Sequence, residues 1–110
     1  MADRGTIHGI DDRDSLVWRV HGPTCEIVDI AVYSSRRTGI GRGLVQTLVR
    51  SLPDTVRTLY AICRADNHIG RDFYEGCSFR VVGRLQDFYQ ETGRTGTLDA
   101  VMYGLDIGRR

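Results

Sequence analysis

Residues 27–52 contain a strand pattern, a glycine-rich basic segment and a helix pattern in direct succession, and this order constrains the fold more than any other feature. Residues 27–33 are an apolar, β-branched run with one aspartate, which predicts a mostly buried strand. Residues 34–43 hold three glycines and three arginines and predict a loop. From position 42 the apolar residues repeat with the period of a one-faced helix, which Pro53 ends.

This order of elements predicts an anion-binding site. The first backbone N–H groups of a helix have no acceptor within the helix, and the helix dipole adds partial positive charge at the same end. Glycines allow a phosphate to approach the backbone because no Cβ stands in the way. The segment supplies three glycines and three cationic side chains: Gly39, Gly41, Gly43, Arg36, Arg37 and Arg42.

Two common nucleotide-binding motifs do not fit this segment. The dinucleotide fingerprint G-x-G-x-x-G fails because Leu44 stands where the third glycine belongs. The Walker loop fails because the chain contains no lysine. On spacing alone, a plain left-handed turn before a helix, in which the glycines only solve geometry, stays open as an alternative.

Two segments resemble the signatures of the GCN5-related N-acetyltransferase (GNAT) family. Residues 36–41, RRTGIG, match R/Q-x-x-G-x-G/A between a strand and a helix. Residues 67–79, NHIGRDFYEGCSF, resemble N-x-x-A-x-x-F-Y-x-x-x-G-F, with Gly70 and Ser78 in place of the usual alanine and glycine. The resemblance covers about residues 25–107 and looks closest to the amino-terminal and ribosomal-protein acetylating branches. It covers the cofactor half of the family better than the acceptor half.

The resemblance implies an α/β, acyl-CoA N-acyltransferase (GNAT-like) fold. Its sheet is mixed and mainly antiparallel, with splayed central parallel strands and two helices. We expect one domain over residues 1–110 that lacks most of the family's usual first strand and two helices, because only 24 residues precede Cys25.

The patterns along the chain predict the individual elements. Residues 15–21 and 24–33 form an antiparallel hairpin around Gly22-Pro23. A right-handed crossover links residues 27–33 to a parallel strand at 57–63. The remaining predictions are frayed residues 1–5, a short strand at 6–10, a helix from Asp66 or Asn67 to about Glu75 with Ile69 and Phe73 on its core face, and antiparallel closing strands at 79–84 and 98–105 joined by a polar loop at 91–96.

Composition excludes several classes of function. The net charge is +1, so no global field attracts nucleic acid or a membrane, and no apolar run is long enough to span a bilayer. The three cysteines lack C-x-x-C spacing and predict buried thiols in a reducing cytoplasm, without a metal site. The acidic residues within 11–14 are expected to form a solvated turn.

The resemblance also implies site residues for acetyl-CoA. The loop and helix start would cradle the pyrophosphate through Arg36, Arg37, Thr38, Gly39, Ile40, Gly41, Arg42 and Gly43. Ile30, Ala31 and Val32 would offer strand edge to the pantetheine amides, and a strand N–H in the same stretch, at a bulge, would meet the oxyanion. Asn67 would bond a pantetheine amide, cap its helix, or do both. Tyr74 would hydrogen-bond or protonate the leaving sulfur; packing beside Phe73 is the structural alternative.

The general base is the least defined part of the predicted site. Glu26 is the candidate, because residues 26–32 resemble the strand that carries the base in the histone-acetylating branch. Ile62 stands where the amino-terminal branch often has glutamate, which argues against acetylation of protein amino termini. His21 and His68 are alternatives, although solvent exposure is the expected role of each, and Glu75 is expected to face solvent.

Two functions from different classes follow. The first is an acetyl-CoA-dependent N-acetyltransferase that acts on a peptide amino terminus, a lysine or a small amine. The second is a catalytically weak or inactive module that binds CoA or a protein partner. An exposed sheet edge also predicts a homodimer.

Overall fold

The computed structural model describes residues 3–33, 39–89 and 98–108. These residues contain six strands of a mixed sheet and two helices, which confirms the predicted α/β class. The chain divides into two compact units, residues 1–59 with 106–110 and residues 60–105. None of the described helices is long and apolar enough to cross a membrane. The polar loop predicted at 91–96 lies outside the described residues.

Three antiparallel strands lie side by side in the first unit: β1 (Arg4–His8), β2 (Ser15–His21) and β3 (Thr24–Ala31). The predicted bounds of β2 are confirmed, as is the hairpin with β3. The predicted first strand at 6–10 begins two residues earlier, so Arg4 and Gly5 are paired rather than frayed. Gly5 lies opposite Trp18, and a Cβ there would stand 2.8 Å from the indole ring. The large Trp18 side chain therefore packs against the small residue on β1.

A β-bulge interrupts the hairpin at Val28. Val17 pairs with Asp29 and Trp18 with Ile27, so the register leaves Val28 without a partner on β2. Strict alternation along the sequence of β3 predicts that Glu26 and Val28 share a face with Ile30. That assignment is wrong beyond Ile27, because one inserted residue exchanges the two faces of everything that follows.

Helix α1 (Ile40–Ser51) follows the glycine-rich segment. It begins two residues before the apolar periodicity does, because Gly39 supplies the left-handed turn that opens it. One stripe of the helix is buried, and Pro53 follows the C-cap residue Leu52, as predicted. The buried residues are Gly41, Leu44, Val45 and Leu48.

The remaining elements lie mainly in the second unit: β4 (Thr58–Arg64), α2 (His68–Gly76), β5 (Arg80–Leu85) and β6 (Ala100–Asp106). Their strand order is β4-β6-β5, and the predicted antiparallel pairing of the closing strands is confirmed. The predicted core face of α2 is partly wrong. Ile69 is 61% exposed, whereas Tyr74 is 6% exposed and is the buried residue of the helix. The inward face is shifted by one position, because Gly70 and Tyr74, four residues apart, are less exposed than Ile69 and Phe73, respectively.

Candidate functional site

The N-terminus of α1 is the part of the predicted anion site that the structure describes. Its N-cap is Gly39, which adopts the left-handed conformation at φ 82° and ψ 7° and provides no side-chain cap. The first helical hydrogen bond runs from the N–H of Gly43 to the carbonyl of Gly39 at 2.9 Å. The positive end of the helix dipole therefore lies at Gly39, and no acidic residue lies in the first turn to offset it.

Open space borders the same turn. Among the described residues, a Cβ placed on Gly39 or on Gly43 would meet no heavy atom within 4 Å. Glycine is required at position 39 by its positive φ, but position 43 is ordinary helix, where alanine would fit the free chain. Ile40 is half-buried and Arg42 is exposed. The predicted pyrophosphate contacts Arg36, Arg37 and Thr38 lie outside the described residues.

The strand residues predicted to meet pantetheine stand at the end of β3. Ile30 and Ala31 are its last two residues, and Val32 follows it; all three are half-buried. The bulge expected near them is present at Val28, two residues before the predicted stretch. Their contact with a cofactor stays a prediction.

Asp14 corrects the interpretation of residues 11–14 as a solvated turn. Its side chain is 1% exposed, and its Oδ1 accepts a 2.6 Å hydrogen bond from the backbone N–H of Tyr33. The other member of the cluster with contacts of its own, Asp11, pairs with Arg13 at the surface. The burial of Asp14 was not predicted, because the sequence of a polar run does not show which of its side chains is buried.

Glu26, the predicted base, is bound to neighbouring side chains. Its carboxylate accepts a 3.0 Å hydrogen bond from Arg19, the residue opposite it on β2, and lies 4.0 Å from the ring of His21. The carboxylate is largely shielded from solvent, whereas Arg19 is about half exposed. An acceptor amine would have to compete with the arginine for this carboxylate. The role of Glu26 as base stays a prediction.

Asn67 caps α2, which confirms one of its two predicted roles. Its Oδ1 accepts a 2.9 Å hydrogen bond from the N–H of Gly70, and its side-chain nitrogen would stand 2.7 Å from a Cβ at that glycine. Gly70 replaces the alanine of the family signature, and this close contact explains why a residue without a side chain fits there. The bond from Asn67 to pantetheine stays a prediction.

Tyr74 lies within a group of aromatic rings in the second unit. Its ring makes edge contacts with Phe73 and Phe79, each with centroids 5.3 Å apart, and stacks on Tyr103 at 5.6 Å and 28°. Packing beside Phe73 is therefore confirmed. A role in catalysis is compatible with it, because the ring can be buried while the hydroxyl at its tip acts on a ligand.

Glu75 is exposed, as predicted, and its carboxylate also binds a buried side chain. Its Oε2 accepts a 2.7 Å hydrogen bond from the hydroxyl of Tyr103, which itself accepts a 3.0 Å bond from Nε of Arg71. Two signals could have found this group. Arg71 and Glu75 stand four positions apart on one helix face, and a tyrosine in a buried strand requires a polar partner.

The cysteines behave as buried thiols. Cys25 and Cys63 are buried and Cys77 is half-buried. Burial raises the pKa of Cys25 to about 11 and also raises the pKa of Cys63. Neither thiol is suited to be a nucleophile at neutral pH, because the reactive form is the thiolate.

Comparison with protein families agrees with this geometry. Residues 5–79 match the acetyltransferase (GNAT) family, and because this match spans more than half of the chain, the protein belongs to the GNAT family. The match begins 20 positions before the resemblance found in the sequence and includes β1 and β2. No curated protein gives a significant match.

Solved structures of the same family share the fold. The ribosomal-protein-S18-alanine N-acetyltransferase of Escherichia coli superposes with a TM-score of 0.77 at 24% identity, over 98% of this chain and 72% of that one. An acetyltransferase of Bacillus subtilis in complex with CoA gives 0.75 at 24%, over 94% and 77%. Nourseothricin acetyltransferase gives 0.81 at 19%, over 96% and 66%. These likenesses confirm the GNAT-like fold, and the chain spans two thirds to three quarters of those structures' lengths.

Proposed function

We propose that this chain is an acetyl-CoA-dependent N-acetyltransferase that moves acetyl directly from the thioester to a primary amine. The observation that carries the proposal is the start of α1, where the left-handed Gly39 opens the helix at the positive end of its dipole and no described residue crowds Gly43. A pyrophosphate fits this site by charge and by room. Each hydrogen bond to a charged group contributes about 1.5–3 kcal/mol, so several such bonds would dominate binding.

The chemistry requires one bond to form and one to break. The amine nitrogen attacks the thioester carbonyl carbon, and the tetrahedral intermediate expels the CoA sulfur. Tyr74 hydrogen-bonds the leaving sulfur or gives it a proton, since a phenol of pKa about 10 can serve a thiol of pKa about 8.5. A base, for which Glu26 is the candidate, removes a proton from the amine. Direct transfer is supported by the burial of Cys25 and Cys63, which raises the pKa of both thiols and disfavours the nucleophilic thiolate.

The name of one similar solved structure suggests a chemical class for the acceptor amine. One of them is named as an alanine N-acetyltransferase of a ribosomal protein, so a peptide α-amine is a reasonable first acceptor, with lysine and small amines as the other classes. Ile62 and the pairing of Glu26 with Arg19 instead favour a second candidate function, a CoA-binding or protein-interaction module without turnover. A homodimer and a reducing cytoplasmic compartment stay predictions, and no partner other than acetyl-CoA and the amine is proposed.

A turnover assay on Tyr74→Phe separates the two functions. Acetyl-CoA is offered with a peptide bearing a free alanine α-amine, an amino-terminally blocked peptide with one lysine, and a small diamine, and release of free CoA thiol is followed. We expect kcat to fall by about 10²-fold, the lower end for loss of an acid or base, with unchanged affinity for acetyl-CoA. Tyr33→Phe is the control, because it removes a hydroxyl from a side chain that is 67% exposed.

Each outcome has a defined meaning. Equal turnover by Tyr74→Phe and the native protein would overturn the leaving-group role. Binding of acetyl-CoA without turnover of any of the three amines would contradict the enzyme and favour the binding module.

A further inference from the structure

Tyr103 is a buried tyrosine whose hydroxyl is held from both sides. It lies on β6 with no exposed surface. Its hydroxyl donates to Oε2 of Glu75 at 2.7 Å and accepts from Nε of Arg71 at 3.0 Å. Arg71 is itself anchored, since another of its guanidinium nitrogens donates to the carbonyl of Ala65 at 3.1 Å. Two hydrogen bonds therefore hold the Tyr103 hydroxyl, and a third anchors Arg71, one of its two partners.

The same two helical residues bracket Tyr74. Arg71 precedes it by three positions and Glu75 follows it directly, so all three belong to one turn of α2. The bonds to Tyr103 consequently tie this turn to β6. They also bring the ring of Tyr103 against that of Tyr74, with the planes 28° apart and the centroids at 5.6 Å.

This stack differs from the other contacts of Tyr74. Phe73 and Phe79 touch its ring at 69° and 65°, so they meet it edge to face. Only Tyr103, among these three contacts, lies along the face of the ring and limits its tilt. Because a shift of about 1 Å in a reacting group can cost about 10²-fold in rate, the plane of Tyr74 is a property that catalysis would depend on.

Tyr103 itself has no role as an acid or base. Burial raises the pKa of its hydroxyl, and the bond to Glu75 raises it further, against a lowering by Arg71. The hydroxyl is therefore protonated at neutral pH, which is the state that can donate to Glu75. Its proton is engaged in that bond and is not presented to a substrate.

We propose that Tyr103, held by Arg71 and Glu75, is a positioning residue that sets the orientation of the Tyr74 hydroxyl toward the leaving sulfur. This inference rests on the proposed function, in which Tyr74 serves that sulfur. The family signature contains Tyr74 but not Tyr103. The inference therefore adds a requirement, which is that a hydrogen-bonded tyrosine stacks on the ring of Tyr74.

A double-mutant cycle in kcat tests the inference, with the most rapidly acetylated amine of the three-member panel as acceptor. Tyr103→Phe keeps the stacked ring and removes both hydroxyl bonds. We expect kcat to fall about tenfold, with KM for acetyl-CoA unchanged within about twofold, because the substitution moves a group that acts only in the transition state. In the Tyr74→Phe background, Tyr103→Phe should have no further effect, since no Tyr74 hydroxyl remains to be positioned.

A second pair of variants tests the same contact in case Tyr103→Phe does not fold. Glu75 is exposed on its outer side, so Glu75→Ala removes the acceptor of the Tyr103 proton from the surface of the helix. Its kcat should fall in the same direction as that of Tyr103→Phe and by no more, because the bond from Arg71 to the Tyr103 hydroxyl remains. Glu75→Gln retains an oxygen acceptor and should recover most of the native kcat. A purely structural contribution would instead lower the active fraction equally in both Tyr74 backgrounds.

The outcomes distinguish this inference from the function on which it rests. Full activity of Tyr103→Phe and Glu75→Ala, or multiplicative losses in the double variant, would overturn the inference and leave the proposed function intact. Normal turnover by Tyr74→Phe, or no turnover of any amine in the panel, would overturn the proposed function and this inference with it.

Discussion

Asp14 and Tyr33, which are 19 positions apart in the sequence, are joined by a 2.6 Å hydrogen bond from the backbone N–H of Tyr33 to the buried carboxylate. Asp14 immediately precedes β2, and Tyr33 lies two residues beyond the end of β3. The bond therefore fixes the point at which the chain leaves the strand on its way to the glycine-rich segment. A buried carboxylate is costly unless it is hydrogen-bonded, so this contact contributes to the stability of the first unit.

Replacing Asp14 should destabilise the fold, and the loss should depend on whether the new side chain still offers an oxygen to the N–H of Tyr33. Asp14→Ala leaves the N–H of Tyr33 without this partner and should lower the free energy of unfolding by about 1–3 kcal/mol. Asp14→Asn keeps an oxygen in place and should lose less. Urea unfolding of the three proteins measures the difference, and an alanine variant as stable as the native protein would show that the bond is dispensable.

The thiol of Cys25 should make stability depend on alkaline pH. Burial raises its pKa from an ordinary value of 9.0 to about 11, so the unfolded chain loses this proton at a lower pH than the folded chain. The stabilisation is complete below about pH 9 and is lost as pH rises through about 11.

We therefore expect the free energy of unfolding to fall more steeply between those two values in the native protein than in Cys25→Ala. Cys77→Ala, which removes a half-buried thiol, is the matched control. Parallel curves for native protein and Cys25→Ala would contradict the assignment.

Glu26 should prove necessary for turnover if it accepts the proton of the amine. Glu26→Gln keeps the size of the side chain and should lower kcat/KM by about 10²-fold, the lower end for loss of a general base. Arg19→Ala is the informative companion, because it removes the guanidinium bound to Glu26 and leaves the carboxylate available. Unchanged kcat/KM in Glu26→Gln would remove this residue from the mechanism and return attention to His21 and His68.

Strands and helices with a clear hydrophobic periodicity could be predicted from the sequence. Features that depend on a single residue that breaks the periodicity could not. The bounds of β2 follow from alternation and from the turn at Gly22-Pro23. The bulge at Val28 has no signature, because an inserted valine resembles its neighbours in the strand. The core face of α2 was misassigned for a related reason. In a helix of nine residues with adjacent aromatics, the period allows either Phe73 or Tyr74 to face inward.

The part of the candidate site that depends on local backbone geometry was predictable from the sequence. The contacts between residues far apart in the sequence were not. Glycines before a helix predict an anion site from the local sequence, and the left-handed Gly39 provides the helix start that this prediction requires. The contacts of Asp14 with Tyr33 and of Tyr103 with Glu75 join residues far apart in sequence. Such pairs leave no mark on composition or spacing, because each partner satisfies a local pattern of its own.

The most direct test of the central claim is a calorimetric titration of the native chain, Gly43→Ala and Gly83→Ala with acetyl-CoA. A Cβ at either glycine meets no heavy atom of the described part of the chain within 4 Å, so we expect both variants to fold, and alanine is the better helix residue at position 43. If the start of α1 cradles the pyrophosphate, Gly43→Ala should weaken binding by at least about tenfold, or ~1.4 kcal/mol, while Gly83→Ala binds like the native chain. Equal affinity of all three proteins, or no binding by the folded native chain, would contradict the account.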